Sequence, residues 1–446
     1  MDFKFILRGL NSQVGRFSIP PKTPWAEARL GFIFRALKHK NYRLFFGGQS
    51  ISLVGTWMQM VAMSWLVYRL TNSALLLGIV GFVGQIPSFF LMPFAGVIAD
   101  RYNRHRILIA TQTLAMLQAV ALSVLVITEH VEVWHIVVLN LILGLVSSFD
   151  IPVRQAFTVE MIENKDDLGN AIALNSSMVN VARLLGPSIA GIIIAFVGEG
   201  ACFFINAFSY LAVIFSLLAM KITPKVIKPP EHHVWHDLKE GFVYAFNFAP
   251  IRDIIFLLGL ASLMGVPYQI LMPVFAKDIF HGGPQTLGFL VSMAGIGALA
   301  GAIYLAGRKS VIGLVRMIGE SSILFGLGVI AFSFSKTLWF SMIVICMAGF
   351  AMMVQMAASN TILQTIVEED KRGRVMSFYT MAFMGMTPFG SLFAGYLANK
   401  IGAPYTLMVG GVCCIFAALG FLRNLPSLRE KMRPVYIEKG IITPGN

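Results

Sequence analysis

Charged side chains are scarce in this sequence, and the densest group of them stands in one short run, Gly96-Val-Ile-Ala-Asp100-Arg101-Tyr-Asn-Arg104-His-Arg106. Carboxylates and guanidinium groups form charge-assisted hydrogen bonds with each other and with helix ends. Contacts of this kind hold one conformation closed and break in another. The chemistry that the run supports is therefore reversible ion pairing. We call such a set of reversible ion pairs a latch. The residues predicted to form it are Gly96, Asp100, Arg101, Arg104 and Arg106.

Two more carboxylates lie in or beside apolar stretches, where ionisable groups are usually functional. Asp150 precedes Arg154 by four residues and is predicted to join the gating contacts, with a solvated interface position as the alternative. Glu320 follows Arg316 at the same spacing, which forms ion pairs along a helix. A structural pair at the membrane surface is the preferred interpretation of Glu320, and a proton site is the alternative.

One cation stands alone in the middle of an apolar stretch, in Arg183-Leu-Leu-Gly186-Pro187. Arg183 has no acidic partner in its own helix, and its position just before Gly186-Pro187 predicts that it points toward the interior. It is therefore a candidate for binding an anionic substrate group or for ion coupling. Gly186 and Pro187 free a backbone carbonyl and let a neighbouring helix approach closely. The alternative for the Gly-Pro pair is a tolerated kink.

The sequence contains no motif for covalent catalysis. It has no phosphate-binding Gly-Lys-Ser/Thr loop, no His-Glu-x-x-His and no nucleophile elbow. The four cysteines lie in apolar runs and predict neither disulfides nor a metal site. His232, His233 and His236 are interpreted as a solvated tract rather than a metal cluster. No cofactor, no metal and no enzymatic activity are predicted.

The composition shows which elements must position these side chains. Of 446 residues 57% are hydrophobic and 13% charged, and the mean hydropathy is +0.74. So few charges cannot cover the surface of a soluble protein of this size, so the chain spans a bilayer. Twelve apolar stretches of suitable length occur: 44–68, 75–99, 106–127, 134–149, 173–197, 201–220, 254–276, 286–307, 311–334, 338–356, 376–398 and 404–423.

The lysines and arginines orient these spans. Every one falls on one side of the predicted membrane except Arg69, Arg183, Lys277, Lys336 and Lys400. Because positive residues stay in the cytoplasm, both termini and the central linker are predicted there. The net charge of +13 then reflects topology, and no nucleic-acid partner is expected. The basic N-terminal segment lacks the apolar core of a signal peptide.

The chain divides into two halves related by a weak repeat. A shift of 204 residues aligns identical residues, among them Gly186 with Gly390 and Gly198 with Gly402. The fold class predicted is all-α membrane, with twelve transmembrane helices in two pseudo-symmetric six-helix halves. The predicted regions are a basic segment 1–43, a first bundle 44–220, a cytoplasmic linker with an amphipathic helix 221–253, a second bundle 254–424 and a tail 425–446.

The run from Gly96 resembles the loop signature of the major facilitator superfamily, Gly-x-x-x-Asp-Arg/Lys-x-Gly-Arg-Arg/Lys, with Asn103 where the family usually has Gly. Gly186-Pro187 is similar to the signature of the superfamily's exporters. Trp57-Met-Gln-Met, Gly84-Gln-Ile-Pro87 and Lys371-Arg-Gly-Arg-Val resemble the branch of macrolide efflux proteins and the enterobactin exporter. The same resemblance implies that Asp150 pairs with an arginine of the 101–106 loop. The arginine that proton-coupled drug antiporters often carry in span four is absent.

The resemblance implies a cavity lined by spans one, four, seven and ten. Uncharged polar residues lie at helical spacing on these spans, among Met and aromatic residues that suit a large, partly apolar ligand. The alternative is that they hydrogen-bond neighbouring helices. The cavity candidates are Gln49, Ser52, Thr56, Gln59, Asn140, Tyr268, Gln269 and Gln355.

The function predicted is a secondary transporter of the cell or inner membrane that exports an amphiphilic small molecule by alternating access. Its expected partners are that substrate, protons moving in exchange, and the lipid bilayer, and a monomer is expected. Drugs, macrolides and siderophore-like metabolites are the substrate classes. The alternatives are a siderophore-specific exporter, a lysophospholipid flippase and a non-transporting membrane receptor.

Overall fold

The computed structural model describes residues 34–221 and 242–443, apart from positions 309 and 370. It describes the backbone but not the side chains of Pro93, Gly96, Val97, Ala99, Asp100 and Lys165. Most of the predicted linker, including His232, His233 and His236, lies outside the described residues. The described residues form helices and no strand.

Within these described ranges, six long helices precede the linker and six follow it. The first half contains α1 Lys40–Thr71, α2 Ala74–Arg101, α3 Arg104–Ile127, α4 Val133–Glu160, α5 Leu168–Val197 and α6 Glu199–Leu218. The second half contains α7 Ala249–Ile279, α8 Pro284–Ala306, α9 Leu314–Phe334, α10 Leu338–Ile366, α11 and α12 Ala403–Arg423. Helix α11 consists of Arg372–Thr380, a π turn Met381–Gly385, and Met386–Ile401. A final helix, α13, covers Leu425–Glu438.

Eleven of these helices in the described part of the chain are long and apolar enough to cross a membrane. Helix α11 completes the predicted twelve, because its 9-, 5- and 16-residue parts follow each other without a break. Helix α7 contains two π turns of its own, Ala261–Gly265 and Phe275–Ile279. The all-α membrane fold predicted from hydropathy is confirmed.

Helices α4 and α10 extend about ten residues beyond the apolar stretches that predicted them, to Glu160 and Ile366. Hydropathy marks only the part of a helix inside the hydrocarbon. The polar continuation keeps its backbone hydrogen bonds and remains helical. These extensions carry Arg154 and Glu160 beyond the predicted end of α4, next to the start of α3.

The repeat of 204 residues also appears in backbone conformation. Gly198 ends α5 and Gly402 ends α11, with φ of 91° and 89°. A side chain is strained at such angles, so both positions favour glycine. In each case the next helix begins at the following residue, Glu199 or Ala403. The two halves therefore make the same sharp connection at the same place.

The packing order is similar in the two halves. In the first, α1 packs on α5 and α6, α2 on α4, and α3 on α6 and α4. In the second, α8 packs on α10, and α9 on α12 and α10. We call the side at which α1 begins, at Lys40, and α12 ends, at Arg423, the terminal face. The opposite side, at which α1 ends at Thr71 and α2 begins at Ala74, is the distal face.

Two seams join the halves, α5 against α8 and α2 against α11. In the first seam a Cβ on Gly191 would lie 3.2 Å from the Cα of Gly288, and in the second a Cβ on Gly395 would lie 2.7 Å from the Cα of Gly78. Both crossings thus depend on paired glycines, which let helix backbones touch. All four glycines lie in the part of their helices nearer the distal face.

Candidate substrate site and gating contacts

Arg183 lies near the middle of the 30-residue helix α5. Its guanidinium carbon lies 5.2 Å from the centroid of the Trp57 ring on α1, within the range of a cation–π interaction. Gly186 makes this contact feasible, because a Cβ there would lie 2.5 Å from the Cβ of Trp57 and 3.0 Å from the carbonyl oxygen of Val54. The Gly-Pro motif therefore brings α5 against α1 one turn beyond Arg183.

Arg183 also faces the second half of the chain. A Cβ on Gly295 of α8 would lie 3.2 Å from the Arg183 carbonyl oxygen and 3.4 Å from its Cγ. Tyr268 of α7 is buried and close enough to Arg183 for electrostatic interaction. The Tyr268 hydroxyl accepts a hydrogen bond of 3.4 Å from Nε2 of Gln269. The side chains of Arg183 on α5 and Trp57 on α1 and the backbone of α8 thus meet, with the buried Tyr268 of α7 in their neighbourhood.

No carboxylate oxygen among the described residues lies within 4.0 Å of the Arg183 guanidinium. A cation inside a membrane protein is costly unless an anion or several hydrogen bonds compensate its lost hydration. The Trp57 ring supplies part of that compensation. The part of this cost that the Trp57 ring does not offset favours the binding of an anionic group beside Arg183.

Two of the cavity candidates bond to other helices instead. Gln59 donates a hydrogen bond of 3.0 Å to Gln118 of α3 and accepts one of 2.7 Å from Asn206 of α6. Asn140 donates one of 2.7 Å to the carbonyl oxygen of Val80 on α2. For these residues the structure shows the alternative, hydrogen bonding between helices.

The other cavity candidates fall into two groups. The fully buried ones are Gln49, Ser52, Tyr268 and Gln355, with exposed fractions of 1–2%. The exposed ones are Thr56 and Gln269. Thr56 donates a hydrogen bond of 2.9 Å to the carbonyl oxygen of Ser52, and Gln269 bonds to the Tyr268 hydroxyl. The substrate-facing role of all these residues stays a prediction.

The structure gives the described gating residues Asp150 and Arg104 different partners. Asp150, 7% exposed, accepts hydrogen bonds from Thr111 (2.9 Å) and Gln112 (2.8 Å) of α3. Its nearest arginine is Arg154 of its own helix, at 3.4 Å. The expected pairing of Asp150 with an arginine of the 101–106 loop is therefore not what the structure shows, because α4 turns this carboxylate toward the middle of α3.

The arginines of the loop have other positions. Arg104 forms an ion pair of 2.7 Å with Glu160 at the end of α4. Arg101 and Arg106 are exposed. The side chains of Gly96 and Asp100 lie outside the description, so the latch that they were predicted to form stays a prediction. Asn103, which replaces the family's glycine, caps α3 by accepting a hydrogen bond of 3.1 Å from the Arg106 N–H.

The remaining predicted ion pair is present, and its structural role stays a prediction. Arg316 and Glu320 are 2.6 Å apart, with side chains 63% and 51% exposed. They lie on the outer surface of α9, away from Arg183. The exposure favours the membrane-surface interpretation.

Comparison with known proteins assigns the family. The family model described as "Transmembrane secretion effector" matches residues 33–436. The chain belongs to this family, a branch of the major facilitator superfamily. It is a membrane transporter and not an enzyme.

Curated relatives and solved structures agree with this assignment. The chain is 28% identical to the staphyloferrin A transporter of Staphylococcus aureus (strain NCTC 8325 / PS 47), over 85% of this chain and 95% of that protein. It is 20% identical to macrolide efflux protein A of Streptococcus pyogenes, over 86% and 96%. The crystal structure of the nucleoside transporter NupG superposes with a TM-score of 0.66 and 13% identity, covering 87% of this chain and 99% of that one. The last likeness concerns the fold alone.

Sequence reasoning missed several contacts of this family member at the distal face. Tyr68 of α1 donates a hydrogen bond to Asp278 of α7. Lys277 lies 2.6 Å from the Asn72 oxygen. Arg69 pairs with Glu199 at 2.7 Å. Only the last contact had a signal, since the two residues were placed on the same side of the membrane with opposite charge.

Proposed function

We propose that this chain is a secondary active exporter that moves an amphiphilic small molecule out of the cell by alternating access. Its membrane is the cell (inner) membrane, and its terminal face is cytoplasmic. The concentration of Lys and Arg on that face supports the orientation. Export in exchange for protons and action as a monomer belong to the same proposal.

One observation carries the proposal: the contacts between the halves described above run from Arg183 to the distal ends of the helices. The glycine crossings of both seams and the pair Tyr68–Asp278 lie there. A transporter with these contacts formed would receive substrate from the terminal face at the level of Arg183. Rocking of the halves would break the distal contacts and release the substrate on the other side.

The relatives support export and leave two substrate classes. One is named for a siderophore, staphyloferrin A, and another for macrolide efflux. A siderophore-specific exporter is therefore a close alternative, since the first relative matches over 95% of its length. A lysophospholipid flippase is a further candidate on fold alone. Dependence of transport on acyl-chain length would separate the flippase from the other two.

The test compares culture medium and cell extracts of a deletion strain with those of the complemented strain by untargeted mass spectrometry. We expect at least one compound to be depleted outside and enriched inside the deletion strain. The same compound should accumulate in inverted membrane vesicles when a pH gradient is imposed. A compound enriched outside the deletion strain instead would indicate import and contradict the proposal.

A further inference from the structure

We propose that Arg183, Trp57 and Tyr268 form an anion-binding subsite, and that the exported molecules carry an ionised acidic group next to an apolar or planar part. This inference rests on the proposed export function and specifies its substrate class. Nothing in the names of the relatives requires such a subsite.

The first argument compares Arg183 with four other arginines of the membrane helices. Arg69 pairs with Glu199, Arg104 with Glu160, Arg154 with Asp150 and Arg316 with Glu320. These four lie toward the ends of their helices, where water and headgroups are near. Arg183 lies at the middle of its helix and has no such partner among the described residues. A cation at mid-span is the costliest to leave without a carboxylate, so its position favours a ligand anion as the missing partner.

The second argument comes from the internal repeat. The residue 204 positions after Arg183 is Thr387, whereas Gly186 has its counterpart in Gly390. The glycines serve the same packing in both halves: Gly186 lets α5 contact α1, and Gly390 lets α11 contact α7. The packing therefore does not need a cation at this level. The positive charge belongs to one half only and serves something other than the fold.

The third argument is the arrangement of groups around the guanidinium. The Trp57 ring offers an apolar plane for the remainder of a ligand, while the guanidinium offers donors in a fork that matches a carboxylate or phosphate. Gln269 is exposed beside Tyr268, and its amide group can donate to a second ligand oxygen. Gly295 closes the α8 side with bare backbone. An anion bound here would contact both halves of the chain.

The experiment uses the deletion strain complemented with the wild-type chain, Arg183→Gln, Arg183→Lys or Arg316→Gln. The last variant is the matched control, because it removes an arginine from the outer surface of α9. Released compounds are identified by mass spectrometry and normalised to the amount of tagged chain in the membrane. Circular dichroism of each purified variant checks that it is folded.

We expect the compounds released by the wild-type chain to carry a carboxylate, phosphate or sulfonate group. Arg183→Gln should lower their release at least about tenfold, since it removes a charged hydrogen-bonding group from the site. Arg183→Lys should keep part of the release, because it retains the charge without the planar fork. Arg316→Gln should release the compounds at the wild-type rate.

Two results would overturn the subsite. One is release of compounds that are neutral or cationic at pH 7, which tests the proposal without any variant. The other is release of the acidic compounds by a folded Arg183→Gln variant at the wild-type rate. If no compound depended on the wild-type chain at all, the export function itself would be wrong. Failure of the subsite and failure of the function are thus distinguishable.

Discussion

Tyr68, in the last turn of α1, donates its hydroxyl hydrogen to the carboxylate of Asp278, in the last π turn of α7. The bond joins the two halves of the chain at the distal face. Beside it, Lys277 bonds to Asn72 and lies 5.6 Å from the centroid of the Tyr68 ring. We call Tyr68, Asn72, Lys277 and Asp278 the distal lock. These contacts must break before the distal face can open.

The distal lock predicts energetic coupling between Tyr68 and Asp278. In a double-mutant cycle of Tyr68→Phe and Asp278→Asn, we expect a coupling free energy of about 1–3 kcal/mol. Either substitution alone removes the hydrogen bond to the carboxylate, so the second substitution has nothing further to remove. The measurement is unfolding of the purified protein in mixed micelles. Tyr304→Phe, at an exposed tyrosine of α8, is the control and should not couple to Asp278→Asn. Additive effects of the first pair would show that the lock contributes nothing.

The glycine crossings predict a steep effect of one added methyl group. A Cβ on Gly288 would lie 2.4 Å from the Pro187 carbonyl oxygen, so Gly288→Ala must push α8 away from α5. Strain of this kind costs about 1–3 kcal/mol, and we expect export to fall severalfold or more. Gly420→Ala on α12 meets no atom within 4 Å and serves as the control. Equal export by the two variants would contradict the role of the seam.

The buried pair of α4 predicts a larger loss of stability than the exposed pair of α9. Asp150→Ala removes the acceptor of the Gln112 amide, one of the two acceptors of the Thr111 hydroxyl, and the partner of Arg154. The free energy of unfolding should therefore fall by about 2–3 kcal/mol. Glu320→Ala removes the same kind of i,i+4 pair where it is more than half exposed. We expect a change below about 1 kcal/mol there. Similar losses in the two variants would mean that burial of Asp150 is not decisive.

The amide chain between α1, α3 and α6 predicts that Gln59 acts on stability and not on substrate choice. Gln59→Leu breaks two hydrogen bonds and should lower the free energy of unfolding by about 1–3 kcal/mol. Gln364→Leu, which loses one bond to Asn360 within the exposed part of α10, should have a small effect. The set of released compounds should stay the same in both variants. If Gln59→Leu changed the set of released compounds, Gln59 would be a substrate-binding residue after all.

The helices were predictable because a bilayer demands about 20 apolar residues per crossing, whatever the tertiary contacts. The repeat was equally readable, and Gly198 and Gly402 confirm it with matching φ angles. The position of Arg183 toward the interior followed from the neighbouring Gly186-Pro187. In these cases residues close together in the sequence are enough to predict the structural feature.

Partners across the fold were not predictable from the same patterns. Helical periodicity places Gln59 and Thr56 on one face of α1 but does not say which helix covers that face. Gln59 turned out to meet α3 and α6, whereas Thr56 is exposed. Asp150 was assigned to the wrong arginine for the same reason. The distal lock joins residues about 210 positions apart, which no local spacing reveals.

The π turns have a mechanical consequence. All three lie in α7 and α11, and the described helices of the first half have none. A π turn holds one residue more than an α turn needs, and its weaker hydrogen bonds can pass that residue along the helix. Helices α7 and α11 can thus bend or change register at these turns. The sequence repeats itself, yet the second half has points of bending of a kind that the described helices of the first half lack.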